Sequence, residues 1–161
     1  MENYEKNIVD PKYVYERLDA KNCKVIDCTV YFELKKVGAS TIHSGYEDYL
    51  KRHIPGSAYL HMVDDLSEKD NPIPFSIVSQ EKLNEKLSSI GINNEDEIIL
   101  YGSGFHMAIT RAWWVLTMSG AKNVKIMNGG LASWQKQNFP LSTGCLLYTS
   151  DAADDLVGVG I

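Results

Sequence analysis

Cysteine is scarce in this 161-residue sequence, which has three: Cys23, Cys28 and Cys145. A sparse, odd set does not form the disulfide framework of a small secreted domain. The spacing of Cys23 and Cys28 also differs from the CxxC pair of zinc and redox sites. We therefore expect both to be small buried side chains, and no cluster of residues predicts a bound metal or another cofactor.

The sequence also lacks a long apolar run and an excess of basic residues. No stretch is long enough to span a bilayer, and the formal net charge of -5 disfavours nucleic acid and anionic membranes as partners. The start, MENYEKNIVD, has neither the basic region and apolar core of a secretory signal nor the arginines of a mitochondrial presequence. We therefore expect a cytoplasmic protein that binds neither nucleic acid nor membrane.

Strand and helix patterns alternate along the chain. Apolar runs in KVIDC, DEIILY and NVKIM predict buried strands, and SQEKLNEKLSSIG, AITRAWWVLTMSG and GGLASWQKQNFP predict helices. A first helix is expected in DPKYVYERLDAKN and a further strand after the HIPG turn, whereas residues 29–45 have weak periodicity and are predicted to be a loop. The alternation favours an α/β fold with a mainly parallel sheet covered by helices on both faces.

The segment EIILYGSGFHMAITRAWW contains the candidate site. It predicts a buried strand, a glycine-rich loop and the start of a helix, and ligands of parallel sheets bind beyond the carboxyl ends of the strands. Gly102, Ser103 and Gly104 are candidates for holding an anion on their backbone N–H groups. A sulfur-transfer or phosphatase-type site would also need a cysteine at the base of this loop. The loop has none.

These segments, together with VIDC, YLKRHIPGSAYLHM and MNGGLASWQKQNFPL, resemble the rhodanese family. The similarity implies a three-layer rhodanese-like domain at residues 6–144. It is greatest to the amino-terminal domain of two-domain thiosulfate and 3-mercaptopyruvate sulfurtransferases, which generally lacks the catalytic cysteine. By this resemblance the position of that cysteine is Gly102, so the domain would contain no catalytic residue of its own.

Two side chains are candidates for accessory or substrate-facing roles. The resemblance implies that His53, in the RHIPG turn, faces an active site contributed by another domain, although its expected acidic companion is Ser44 here. The alternative is a turn histidine that bonds the backbone. Arg111 is a candidate anion ligand, and its alternative is a structural pair with an acid or packing over the tryptophans. His106 is expected to be a solvated loop side chain.

The last segment, CLLYTSDAADDLVGVGI, does not continue these patterns and resembles the translation of a sequencing adapter. We therefore expect a non-native tail at residues 145–161 and a missing second rhodanese domain. That domain and a small anionic sulfur donor would be the partners of this one. The complete enzyme would move sulfane sulfur to a thiophilic acceptor, and this half alone would be inactive. An apolar face is expected where the second domain docks.

Two alternatives remain open at this point. The chain could be a free-standing, cysteine-less rhodanese module that binds a protein or an anion. Cys28, which follows a predicted strand, could also carry transferred sulfur itself. The sequence does not distinguish thiosulfate from 3-mercaptopyruvate as the donor.

Overall fold

A computed structural model describes residues 7–36, 38 and 40–144, so the predicted tail at 145–161 lies outside the described residues. The strands are β1 (Ile8–Val9), β2 (Cys23–Asp27), β3 (Val30–Glu33), β4 (Thr41–Ser44), β5 (Ala58–Tyr59), β6 (Glu97–Tyr101) and β7 (Val124–Met127). The helices are α1 (Pro11–Tyr15), α2 (Tyr46–Lys51), α3 (Gln80–Ser89), α4 (His106–Met118) and α5 (Gly130–Lys136).

Five of these strands form one parallel sheet in the order β1-β7-β6-β2-β5. Strand β6 is central, and β2 pairs along its whole length, from Cys23 opposite Glu97 to Asp27 opposite Tyr101. All residues of β6 are buried, which is typical of a parallel strand covered on both faces.

The two faces of β6 belong to two separate hydrophobic cores. Ile98 and Leu100 pack into a core formed with α3 and α4, whereas Ile99 and Tyr101 pack into a core formed with α1 and α5. The division follows because side chains alternate between the two faces of a strand. The predicted α/β fold, a three-layer domain with a mainly parallel sheet flanked by helices, is confirmed.

The segment predicted to be a loop at residues 29–45 was assigned wrongly, because β3 and β4 form an antiparallel hairpin there. Its base is fixed by Tyr59, whose hydroxyl donates to the Thr29 carbonyl oxygen (2.7 Å) and accepts from the Gly45 N–H (2.9 Å). Tyr59 is distant from the hairpin in sequence, so local periodicity did not reveal this contact.

Helix α3 begins and ends where the sequence predicts. The Ser79 side chain caps it by accepting from the Lys82 N–H (3.4 Å), and Gly91 follows it with φ +73°. The first helix is shorter than predicted, since α1 ends at Tyr15. Within the described ranges, no helix combines the length and the apolarity that crossing a bilayer requires.

Two glycines with left-handed backbone test how closely α5 approaches the loop after β6. A Cβ built on Gly130 (φ +55°) would clash with the carbonyl oxygen of Gly102, whereas one on Gly120 (φ +99°) would meet nothing within 4 Å. Both alanine variants carry backbone strain, and only Gly130→Ala adds a clash. We expect urea denaturation to give a loss of about 1 kcal/mol for Gly120→Ala and about 3 kcal/mol for Gly130→Ala. Equal losses would contradict this close approach.

Candidate functional site

The candidate site lies at the carboxyl edge of the sheet, where β2 and β6 end side by side. Asp27 ends β2 and Tyr101 ends β6, and the two residues are paired in register. The Cys28 N–H continues the ladder by donating to the Tyr101 carbonyl oxygen (2.8 Å). The loop after β6 is therefore held directly against the segment that follows β2.

Backbone donors of this loop are used by the chain itself. The Ser103 N–H donates to Oγ1 of Thr29 (2.9 Å), and the Phe105 N–H donates to the carbonyl oxygen of Val30 (3.1 Å). A donor already bonded internally does not hold a ligand unless that bond opens. The geometry therefore argues against Ser103 in the predicted anion-binding set, while the role of Gly102 and Gly104 stays a prediction.

The position expected for the family's catalytic cysteine is crowded. Gly102 is buried, and a Cβ built on it would lie 3.3 Å from both Cγ1 of Ile109 and the backbone nitrogen of Thr29. A Cβ on Gly104, where φ is +76°, would lie 3.0 Å from the Val30 carbonyl oxygen. Glycine thus permits the close packing of this loop, because a Cβ at either position would be in tight contact with its neighbours.

Sequence reasoning missed Asp27, the buried carboxylate beneath the loop. Asp27 is 2% exposed, and its Oδ1 accepts from both the backbone N–H (2.8 Å) and the hydroxyl of Thr29. Burial raises the pKa of Asp27, and the hydrogen bonds from Thr29 and Tyr101 oppose that rise. Because Thr29 also accepts from Ser103, the carboxylate orients the loop through Thr29. An acid at the end of an apolar strand was the available signal.

His53 is enclosed rather than open to a ligand. It is 1% exposed, its Nδ1 donates to the Tyr49 carbonyl oxygen (2.8 Å), and its ring stacks on that of Tyr49 at 4.3 Å. Its backbone pairs with Ser142 in both directions. Nε2 is buried without a hydrogen-bond partner in the described part of the chain. Ser44, in the position of the expected acid, contacts the Tyr59 hydroxyl instead (3.0 Å).

Arg111 binds backbone rather than an acid. Its Nη2 donates to the carbonyl oxygens of Leu66 (3.2 Å) and Phe75 (2.7 Å) and to Oγ of Ser67 (3.1 Å). These bonds tie α4 to the long connection between β5 and α3. Of the two structural alternatives for Arg111, the pair with an acid is wrong, since the ion pairs of the described residues do not include Arg111. Packing over the tryptophans stays a prediction.

The remaining candidates are distributed around the loop. His106, the first residue of α4, is exposed as expected. An apolar groove opens beside it, and Met107 and Trp114 line this groove with exposed fractions of 65% and 44%. The expectation that an apolar face receives the second domain stays a prediction. His53 and Arg111 contact different parts of the chain, so the structure does not bring the two accessory candidates into one constellation.

The comparison with known families decides the assignment. Residues 10–137 match the family model of the rhodanese-like domain. This range includes the sheet edge and the glycine loop. The chain belongs to the rhodanese family. Its predicted homology to thiosulfate and 3-mercaptopyruvate sulfurtransferases is confirmed at the level of the family.

Relatives of this rhodanese-like chain are longer than the chain itself. It is 31% identical over 120 residues to 3-mercaptopyruvate sulfurtransferase from Escherichia coli K12, which covers 71% of this chain and 42% of that protein. It is 27% identical over 100 residues to thiosulfate sulfurtransferase from Bos taurus, covering 60% and 33% of the two chains. The chain thus spans less than half the length of these curated relatives.

Solved structures agree with the rhodanese assignment. SseA from Escherichia coli, described as having the rhodanese fold of 3-mercaptopyruvate sulfotransferases, superposes with a TM-score of 0.71 at 27% identity, over 86% of this chain and 52% of that one. The 3-mercaptopyruvate sulfurtransferase from Leishmania major gives 0.72 at 18% identity, over 92% and 39%. The second likeness supports the fold alone.

Rhodanese chemistry needs an accessible thiolate, and the described cysteines do not provide one. Cys28 is 1% exposed, and burial raises its pKa well above the usual value. Cys23 begins β2, at the opposite edge of the sheet from the loop. Burial, and to a smaller extent repulsion from Glu97, raises the pKa of Cys23 to about 11. The burial of Cys28 and its raised pKa both argue against sulfur transfer by this residue.

Asp27→Asn tests how much burial of the ionised Asp27 carboxylate destabilises the folded domain. Burial raises the pKa of Asp27 above its usual 3.8, so the native state binds this proton more tightly than the unfolded chain does. Wild type should therefore lose stability relative to Asp27→Asn as the pH rises from about 4 to about 7. Urea denaturation across this range measures the difference, and Asp19→Asn, at an exposed turn, controls for charge. A rise in the stability of wild type relative to Asp27→Asn over this pH range would contradict the dominance of burial.

Thiol labelling tests whether the described cysteines are inert. In a Cys145→Ser background, the rise in the pKa of Cys23 from 9.0 to about 11 should slow its reaction with iodoacetamide by about 100-fold relative to free cysteine. Cys28 should react only when the protein unfolds. Mass spectrometry locates the adducts, and rapid native labelling of Cys28 would restore it as a candidate nucleophile.

Proposed function

We propose that this chain is the non-catalytic, amino-terminal member of a pair of rhodanese-like domains in a sulfurtransferase. The complete enzyme would move sulfane sulfur from thiosulfate or 3-mercaptopyruvate to a thiophilic acceptor. The names of the relatives from Escherichia coli and Bos taurus support this reaction class and include both donors. The reacting thiol would come from the second domain.

The observation that carries the proposal is the closed position at Gly102. The loop contains no cysteine, and Ile109 and Thr29 occupy the space around the glycine. The Ser103 N–H of this loop already donates a hydrogen bond to Oγ1 of Thr29. A loop in this state supports a rigid sheet edge and does not generate or stabilise a persulfide.

In this pair of domains, the second domain would carry out both chemical steps. The thiolate of the second domain attacks the outer sulfur of thiosulfate, the S–S bond breaks, and sulfite leaves with the bonding electrons. The acceptor, for example cyanide, then attacks the outer sulfur of the persulfide and releases thiocyanate and the thiolate. This chain would contribute scaffold and one wall of the cleft. His53 would act by fixing the RHIPG turn, since its ring is enclosed.

A cyanide–thiosulfate assay tests the division of labour. The chain alone should form no thiocyanate above the uncatalysed rate, because neither cysteine of the described residues provides an accessible thiolate. Gly102→Cys should remain inactive, since its Cβ would be in tight contact with Ile109 and the neighbouring Ser103 N–H already donates to Thr29. Turnover by the chain alone at the rate of a complete family enzyme would overturn the proposal.

Resequencing the locus supplies the second half of the test. An open reading frame continuing from residue 144 into a cysteine-bearing rhodanese-like domain would support both the pairing and the proposed non-native tail at 145–161. The joined protein should then be active, and replacing the second domain's cysteine with serine should abolish the activity. A native stop codon near Gly144 would instead favour a free-standing binding module.

A further inference from the structure

The connection after β5 begins with a tight turn at residues 61–65, which His61 closes with its own side chain. The Asp65 N–H donates to the His61 carbonyl oxygen (3.0 Å), and Oδ2 of Asp65 accepts from the His61 N–H (2.7 Å). The Asp64 N–H donates to Nδ1 of the His61 ring (3.1 Å). The imidazole therefore acts as a capping acceptor, as the side chain of an N-cap residue does at the start of a helix.

The same ring nitrogen also lies beside a carboxylate. Oδ2 of Asp64 is 2.8 Å from Nδ1 of His61, which is ion-pair distance. An imidazole nitrogen accepts a hydrogen bond only when it carries no proton, and it donates to a carboxylate only when it carries one. The backbone N–H and the carboxylate of Asp64 thus require opposite protonation states of one atom.

Nε2, the other ring nitrogen of His61, is enclosed by the protein. The residue is 9% exposed, and Nε2 is buried without a hydrogen-bond partner in the described part of the chain. When Nδ1 accepts from Asp64, the neutral ring carries its proton on Nε2, and an unpaired buried donor is costly. When Nδ1 carries a proton, the Asp64 N–H loses this acceptor. The turn therefore has two competing arrangements, and each leaves one group without its partner.

Charged side chains reach the turn from the connection itself and from α3. Lys69 pairs with Oδ1 of Asp64 (2.9 Å), and Lys86 of α3 pairs with Asp65 (3.1 Å). The hydrogen bond from Lys69 lowers the pKa of Asp64, and the charge of His61 lowers it further. Asp64 is therefore ionised throughout the pH range in which histidines take up a proton. A charged acceptor for the protonated ring is already in place.

The strands beside the turn supply titratable groups that carry no charge at neutral pH. The ring of Tyr59 in β5 stacks near that of His61, with centroids 6.4 Å apart, and burial raises the pKa of Tyr59. Burial likewise raises the pKa of Cys28, which interacts electrostatically with Asp65. Neither group changes its charge between about pH 5 and 8, whereas histidine does.

Ser67 connects this turn to α4. Its hydroxyl donates to the carbonyl oxygen of Met62 inside the turn (3.1 Å) and accepts from Nη2 of Arg111 (3.1 Å). The same Nη2 donates to the carbonyl oxygen of Leu66, directly after the turn (3.2 Å). A rearrangement of the turn therefore changes the position of the acceptors that hold the Arg111 guanidinium.

We propose that His61 is a pH-sensitive switch of the turn at residues 61–65. The neutral ring caps the Asp64 N–H, whereas the protonated ring releases it and donates Nδ1–H to the Asp64 carboxylate. The proton comes from solvent, and no other covalent bond forms or breaks. As the pH falls from about 8 to about 5, the turn loses its cap and the connection is held less firmly to α4 at Arg111. The switch uses neither the loop after β6 nor a thiol, so it is independent of the proposed sulfurtransferase role.

Nuclear magnetic resonance of the full chain tests the two states. Long-range proton–nitrogen spectra should show Nδ1 of His61 without a proton at about pH 8 and with one at about pH 5. Over this range, the hydrogen-exchange protection factor of the Asp64 amide, corrected for intrinsic exchange, should fall about fivefold, the scale of one hydrogen bond. The Nε–H signal of Arg111, a buried group, should shift along the same pH curve.

Two substitutions separate the cap from the charge. His61→Asn places an amide oxygen where Nδ1 was, and this acceptor does not titrate, so the protection of the Asp64 amide should no longer change with pH. Asp64→Asn keeps the backbone N–H and removes the carboxylate, so the fall in protection should move to lower pH. His43→Asn is the matched control and should respond as wild type does, because His43 pairs with Glu33 (3.0 Å) on the exposed hairpin.

Ser67→Ala tests the connection to α4. It removes the hydroxyl between Met62 and Arg111, so the Arg111 signal should follow the pH less than in wild type, while the protection of the Asp64 amide should still fall. Circular dichroism and thermal denaturation check that every variant folds. If His61→Asn does not fold, Asp64→Asn still tests the switch, since the Asp64 side chain is 56% exposed.

Three results would overturn the proposed switch. The first is a proton on Nδ1 of His61 at about pH 8. The second is a protection factor of the Asp64 amide that does not change with pH in wild type. The third is the wild-type pH response in a folded His61→Asn variant. An Arg111 signal that follows the pH equally in wild type and in Ser67→Ala would overturn the connection to α4.

Discussion

The hydrogen-bonded connection from Asp27 through Thr29 to Ser103 determines what the carboxyl edge of this sheet can do. The carboxylate is almost fully buried, and it accepts both donors of Thr29. Thr29 in turn accepts from the loop after β6. Since buried polar groups require partners, this connection consumes a loop donor that would otherwise be available. The edge becomes a rigid support.

This inward use of polar groups leaves an apolar outer surface beside the same loop. Phe105 donates its N–H to Val30, and its ring faces the groove together with that of Phe32. Arg111 likewise uses Nη2 to bind the connection after β5. The loop after β6 is therefore closely packed, whereas the neighbouring apolar groove is open.

Much of the fold was accessible from the sequence because its signals are local. The apolar run of β6 and the serine cap of α3 specify elements whose neighbours are close along the chain. The β3–β4 hairpin was missed because Tyr59, distant in sequence, fixes its base. The partners of Arg111 were missed for the same reason: its carbonyl acceptors lie 36 to 45 positions earlier.

The sequence by itself determined that no thiol occupies the loop after β6, since the absence of cysteine there requires no coordinates. It also determined the rhodanese resemblance, because the motifs are short and ordered. Only the tertiary structure decided which partners the loop donors take and that Ile109 closes the space at Gly102. Such contacts join strands and helices far apart in the chain, and their geometry depends on packing that no local pattern encodes.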